Sequence, residues 1–254
     1  MRLVAFCEAA ADFRIASELL DRILREAGPD WVSDVLEANP EGVRTWRGDG
    51  EGQAFFDLHD LTTHVKQLGI RVPHGHFDGR PGITDAVMGR TAFAIVRALA
   101  RHGEPVDAVV MIRDMDDQPE RAKGLHQARI EAQSLAVFRI VLGCAHPMRE
   151  AWVLCGFEPD DDDEHARLHA LRQELGFAPN EQAHQLDATN DQAKRSAKRI
   201  LGVLTNGDRE REQRCWQATS LHTLRDRGEQ TGLRAYLIEL KDHVVSLVAR
   251  KRRA

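Results

Sequence analysis

The stretch Val109-Val110-Met111-Ile112-Arg113-Asp114-Met115-Asp116-Asp117-Gln118-Pro119 decides the fold. An apolar run that stops in a D-x-D-D cluster, followed by Pro and a helix-like pattern, reads as a buried strand delivering carboxylates to its C-terminal end. That end is where open α/β sheets place their ligands. Strand periodicity sends Asp114 and Asp116 to the same side of an extended chain, so two hard oxygen ligands are expected to converge on Mg²⁺ or Mn²⁺.

Upstream, residues 3 to 7 form an apolar run ending at Glu8, and Asp12 is expected to cap the helix that follows. Phe13, Ala16, Leu19, Leu20, Ile23 and Leu24 recur at helical spacing until Gly28-Pro29 ends the pattern. From about Asn39 to Gly82 the periodicity weakens and Gly, Pro and His accumulate, which predicts a long irregular insertion with one strand near Val43 to Trp46. A helix from about Thr84 to His102 leads into the Asp-bearing strand, a further helix follows Pro119, and residues 138 to 143 read as another strand. This alternation predicts an α/β fold with a parallel, Rossmann-like sheet of about four strands joined by right-handed crossovers. Beyond Met148 the pattern turns helical, with helices expected over 149–157, 164–175, 191–204, 210–227 and 233–249. The expected organisation is a metal-binding domain over residues 1–149, with its insertion at about 39–82, and a helical subdomain over 150–254.

With 254 residues the chain can bury a core without disulfides. Cys7, Cys144, Cys155 and Cys215 show no C-x-x-C spacing, so a zinc site has no support and a reduced cytoplasm is expected. The N-terminal apolar run is too short for a signal peptide, and no run approaches the roughly 18 residues of a spanning helix, so no membrane association is expected. Net charge is -5, which excludes a global basic field for nucleic acid. Any such contact must be local. Lys194, Arg195, Lys198 and Arg199 recur at helical spacing, and the chain ends Arg250-Lys251-Arg252-Arg253. A solvated helix face and a frayed tail are the plainer reading of both runs.

Glu8 closes the first strand, Asp114 and Asp116 close a later one, and Glu150-Ala151-Trp152 follows the next. This layout resembles the Toprim domain, the metal-binding fold of type IA topoisomerases, bacterial primases and overcoming-lysogenization-defect nucleases. That family carries a Glu after its first strand and D-x-D after a later one. More narrowly, the chain is similar to a small uncharacterised bacterial Toprim-like family in which Glu-Ala-Trp opens a helix. The resemblance covers roughly residues 1 to 155, with Ala9 standing where the family's first motif usually has Gly.

What the resemblance implies is phosphodiester chemistry. Mg²⁺ held by carboxylates can bridge phosphate oxygens, offset developing charge and lower the pKa of a bound water. Asp114 and Asp116 would be ligands, Glu8 a ligand or general acid/base, and Asp117 and Glu150 candidates for a second metal position. Arg113 and Lys123 are placed to touch a phosphate. The chain is too short for a complete topoisomerase, and a primase would need further domains. The resemblance therefore points to a compact nuclease acting on DNA or RNA, as an effector of anti-phage defence, with a separately encoded ATPase and self-association as partners. Two alternatives stay open: a non-catalytic binding or assembly module, and a small-molecule phosphohydrolase.

Plainer roles compete at each position. Asp116 or Asp117 can cap the helix after Pro119, Glu150 can be a first-turn acid favoured by the helix dipole, and Trp152 reads as a core anchor rather than a stacking platform. His59, His64, His74 and His76 read as ordinary loop histidines, with His74 or His76 offering a phosphate contact.

Overall fold

The computed structural model describes residues 1–50, 52–71, 83–133 and 137–251, with residues 250 and 251 described by backbone alone. Its strands are β1 (Arg2–Cys7), β2 (Thr45–Arg47), β3 (Phe56–Asp57), β4 (Ala108–Asp114) and β5 (Arg139–Ala145), joined in one sheet in the order β2-β1-β4-β5. β1 pairs in parallel with three of them, with Leu3 opposite both Trp46 and Ala108, and Phe6 opposite both Phe56 and Met111. β2 and β3 therefore follow one another along one edge of β1, and β4 takes the other. β5 begins beside the start of β4, where Arg139 N–H donates to the Asp107 carbonyl at 2.9 Å, and ends beside its end, where Met115 N–H donates to the Ala145 carbonyl at 2.9 Å. The α/β class and the parallel sheet are as expected from sequence, with the two-residue β3 as an addition.

Leu3 to Cys7 are fully buried, and Ala108 to Ile112 nearly so. A strand apolar on both faces must be covered on both, which is why these read as unbroken runs rather than alternating ones. The chain divides into two units, Met1–Ile112 with Gln118–Leu142 and Ile238–Ala254, and Arg113–Asp117 with Gly143–Leu237. This differs from a single boundary near residue 150, because the ends of β4 and β5 group with the later helices while the last residues group with the sheet.

The first unit holds α1 (Ala10–Ala27), α2 (Trp31–Ala38), α3 (Leu61–Gln67), α4 (Ala86–Arg101) and α5 (Glu120–Gln133). Asp12 is not the cap of α1. It sits in the first turn and accepts the Ala9 N–H at 2.9 Å, and Ala9 takes an extended backbone (φ -151°) that needs no glycine. α4 and α5 approach closely because Gly89 and Gly124 carry no side chain, and they are clamped by the Arg90 guanidinium, whose Nε and Nη2 donate to Glu131 at 2.5 and 2.7 Å. A Cβ on Gly124 would lie 1.8 Å from the Thr84 carbonyl oxygen, a backbone atom that cannot rotate away. Gly124→Ala is therefore expected to destabilise by about 1–3 kcal/mol in urea unfolding, and a cost below about 0.5 kcal/mol would contradict this packing.

The second unit is helical, with α6 (Arg149–Cys155), α7 (Asp162–Leu175), α8 (Ala197–Thr205), α9 (Arg209–Ala218), α10 (Leu221–Arg227) and most of α11 (Leu233–Leu240). α6 is its centre: Glu150 through Cys155 are all buried, and α8, α9 and α10 pack on it. The helix expected over 191–204 starts only at Ala197, where the Ser196 hydroxyl accepts the Arg199 N–H. The helix expected over 210–227 is two, because Thr219 and Ser220 leave helical geometry and the Ser220 side chain caps α10. After α11 the helical path continues in the first unit through a π-helical turn, Lys241–Val245, into α12 (Ser246–Lys251). No helix among the described residues is long and apolar enough to cross a membrane.

Candidate metal centre at the sheet edge

β4 ends on Asp114, and that carboxylate has a structural partner. Its Oδ1 accepts the Arg149 N–H at 2.8 Å. Arg149 is the first residue of α6, whose opening amides lack helical partners and favour a negative charge. Beyond Asp114 the chain leaves the strand at once. Asp116 and Asp117 have φ values of 45° and 58°, consecutive left-handed residues that Asp tolerates better than most. The turn is pinned by Asp116 N–H donating to the Pro147 carbonyl at 2.8 Å, next to the cis His146–Pro147 bond.

This corrects the periodicity argument, because alternation of side chains holds only while the backbone stays extended, and at Asp116 it does not. The capping alternative fails as well, since α5 begins at Glu120 and the residue before it is Pro119. Two aspartates in succession answer the conformational demand of the turn.

Glu150 lies in the first turn of α6, as the dipole reading expects, and its Oε1 accepts the Arg149 guanidinium at 2.8 Å. Glu212 on α9 belongs to the same group: burial pushes its carboxyl above the usual range, Arg149 opposes that rise and Glu150 adds to it. Sequence reasoning missed Glu212, which stands in the charged run Arg209-Glu210-Arg211-Glu212 with nothing local to distinguish it. Trp152 is fully buried and is a core anchor.

In the first unit, Glu8 follows β1 and Asp57 ends β3 one step away, with Cys7 opposite Asp57 in the pairing. His59 stands between these acids, its Nδ1 at 2.8 Å from Asp57 Oδ1 and its Nε2 at 3.8 Å from Glu8 Oε1. Asp57 also accepts the His59 backbone N–H at 2.8 Å, which fixes the loop that presents the ring. Neither Asp57 nor the strand carrying it was legible, because two residues give no periodicity. His64 is no loop histidine: it is buried in α3, with Nδ1 at 2.8 Å from Asp49 and its ring edge-on to Phe56. His74 and His76 lie outside the described residues.

The expected phosphate contacts fare differently. Arg113 is buried at 8 % exposure and does not present its guanidinium to a polymer. Lys123 is exposed and stands 3.9 Å from Glu120. Lys194 and Arg195 precede α8 rather than sharing a helical face with Lys198 and Arg199. Arg195 pairs with Asp187 at 3.4 Å, Lys198 with Asp191 at 3.4 Å and Arg199 with Glu174 at 3.1 Å, so carboxylates offset most of that run. The side chains of Arg250 to Arg253 lie outside the described residues.

Cys7, Cys155 and Cys215 are buried free thiols whose pKa values burial pushes up, the last two to about 12. None of the three is a thiolate nucleophile near neutral pH. Among the described residues no three His, Cys, Asp or Glu side chains are gathered to hold an ion. The donors at the strand ends are all hard carboxylate oxygens, which suit Mg²⁺, an ion commonly held by one or two carboxylates with water and substrate phosphate completing its shell. Comparisons of the chain with protein-family models, with curated proteins and with solved structures found no match.

Proposed function

We propose that the chain is a Mg²⁺- or Mn²⁺-dependent nuclease, with Asp114 as the principal ligand, Asp116 beside it, and Glu8 exchanging a proton with the attacking or leaving oxygen. The observation that carries this reading is topological. Glu8 follows β1, Asp57 ends β3 and Asp114 ends β4, and β1 runs parallel to both of the others. The C-terminal end of a parallel strand is where such sheets bind ligands.

When bound, the ion supplies Lewis acidity toward a phosphate oxygen and an acidified water. The chain's own groups do the rest. The Arg149 amide orients the Asp114 carboxylate, the Arg149 guanidinium holds Glu150, and exposed Lys123 is available to a phosphate oxygen. Nucleic acid is the proposed substrate; self-association, a partner ATPase and a defence role rest on the resemblance alone. A second reading, a small-molecule phosphohydrolase, draws on the ion pairs at Arg195, Lys198 and Arg199, which leave that run little net charge for a polymer.

The test is cleavage of DNA and RNA by the full chain with Mg²⁺ or Mn²⁺ and with chelator. Cleavage should require the metal. Glu8→Gln and Asp114→Asn, which keeps an acceptor for the Arg149 N–H, should each lower it by about 100-fold or more at an unchanged melting temperature. Hydrolysis of p-nitrophenyl phosphate without polymer cleavage would favour the second reading. Metal-independent cleavage, or full activity in both variants, would overturn the proposal.

A further inference from the structure

We infer that the first unit carries a binding site for a small oxyanion of phosphate type, in a recess lined by the end of α5, the start of β5 and the π-helical turn over Lys241–Val245. The recess measures about 110 Å³ and is lined by Arg129, Gln133, Phe138, Arg139, Ile140 and His243. This is room for a small ion.

The donor arrangement names the ligand's charge. The Arg129 guanidinium is held at two points: Nη1 donates to Glu239 Oε1 at 2.5 Å and Nη2 to His126 Nδ1 at 2.9 Å. Accepting at Nδ1 keeps His126 neutral, in agreement with burial and Arg129 both lowering its pKa. Glu239 is held in turn, its Oε2 accepting the Leu142 N–H at 2.8 Å. Arg129 Nε is buried and has no hydrogen-bond partner. Nε itself is closed to solvent and is not a contact for a ligand in the recess; what Arg129 brings to the wall is a guanidinium fixed in place, with N–H groups on Nη1 and Nη2 beyond the two already used.

The remaining lining supplies charge and further donors. The Arg139 guanidinium, exposed at the first position of β5, has no ion-pair partner among the described residues. Gln133 brings an amide and His243 an imidazole, while Phe138 and Ile140 form an apolar floor. The Arg129 and Glu239 charges offset one another, so Arg139 sets the sign of the recess. Arginine forks match phosphate and carboxylate oxygens. Donors brought from a helix, a strand and a π-helical turn favour a tetrahedral oxyanion over a planar one.

The site stands apart from the metal chemistry proposed above, and the experiment separates them. Inorganic phosphate is titrated into the full chain in chelator, against chloride at matched ionic strength and against acetate, reading the melting temperature. A bound ion stabilises saturably, whereas general exclusion of phosphate from the surface grows steadily with concentration. Phosphate should give a saturable rise that acetate matches only at higher concentration. Arg139→Ala should raise the half-saturating phosphate concentration about tenfold or more, as loss of a charge-assisted contact does. Arg129→Lys, which keeps the charge and removes the fixed guanidinium fork, should weaken it as well, and Asp114→Asn should leave it unchanged. No saturable rise, a rise retained in Arg139→Ala, one lost in Asp114→Asn, or equal binding of acetate would overturn the inference.

Discussion

Trp152→Ala is expected to cost about 3–5 kcal/mol of stability in urea unfolding. Trp152 is fully buried, at the centre of α6. Its ring stacks on Tyr236 with centroids 5.2 Å apart and planes 19° from parallel, and its Nε1 donates to the Thr231 carbonyl at 2.7 Å. That carbonyl also accepts the His146 N–H at 2.9 Å, so it keeps one partner when the indole goes and the cavity dominates the loss. Trp152→Phe should accordingly retain most of the stability, losing roughly 1–2 kcal/mol with the hydrogen bond and part of the ring. An alanine cost below about 1 kcal/mol would mean that α6 is not the packing centre.

Arg211→Ala is expected to cost about 3–5 kcal/mol, because it removes the main partner of a buried carboxylate and leaves it the Asp160 N–H and Arg167 at 3.9 Å. Arg211 donates to Glu164 from Nε at 2.7 Å and from Nη2 at 2.8 Å, donates to the Glu158 carbonyl at 2.6 Å, and lies 4.6 Å over the Phe157 ring. The side chains of Arg211 and Glu164 are 5 % and 6 % exposed. Hydrogen bonds from Arg211 hold the Glu164 carboxyl below its usual range, with the Asp160 N–H assisting and burial opposing.

A depressed carboxyl pKa fixes the sign of the pH dependence. The stabilisation is fully present above the unfolded value of about 4.3 and is lost as pH falls from there through the lower folded value. Glu212 acts in the opposite sense, since burial raises its pKa and protonation relieves that burden above the ordinary range. Unfolding of wild type and Glu164→Gln should therefore converge on acidification below about pH 4. Parallel curves across that window would show that the pair contributes nothing.

The long periodic segments of this chain were legible because burial on a helical stripe or a covered strand leaves a pattern over many residues, as in α1, α4 and β4. Short elements left none. α2, with eight residues behind Gly28-Pro29, and the two residues of β3 are too short to carry a periodic signal. In the later helices the cations at 194, 195, 198 and 199 imitated a helical face, while the better signal was the capping residue, Ser196 for α8 and Ser220 for α10. The carboxylates were found by their positions after apolar runs, but Asp116 shows the limit of that logic. Strand periodicity stops where the backbone turns, and the Asp116-Asp117 pair announces such a turn as readily as a metal. The Arg149 contact to Asp114 crosses 35 positions and had no local signature.

Anomalous scattering from crystals of the protein grown with Mn²⁺ tests the proposed metal centre most directly. The account predicts a peak about 2.0–2.2 Å from an Asp114 carboxylate oxygen, weakened or lost in Asp114→Asn. Saturating Mn²⁺ with no peak at Asp114, or with its only peak elsewhere, would contradict it.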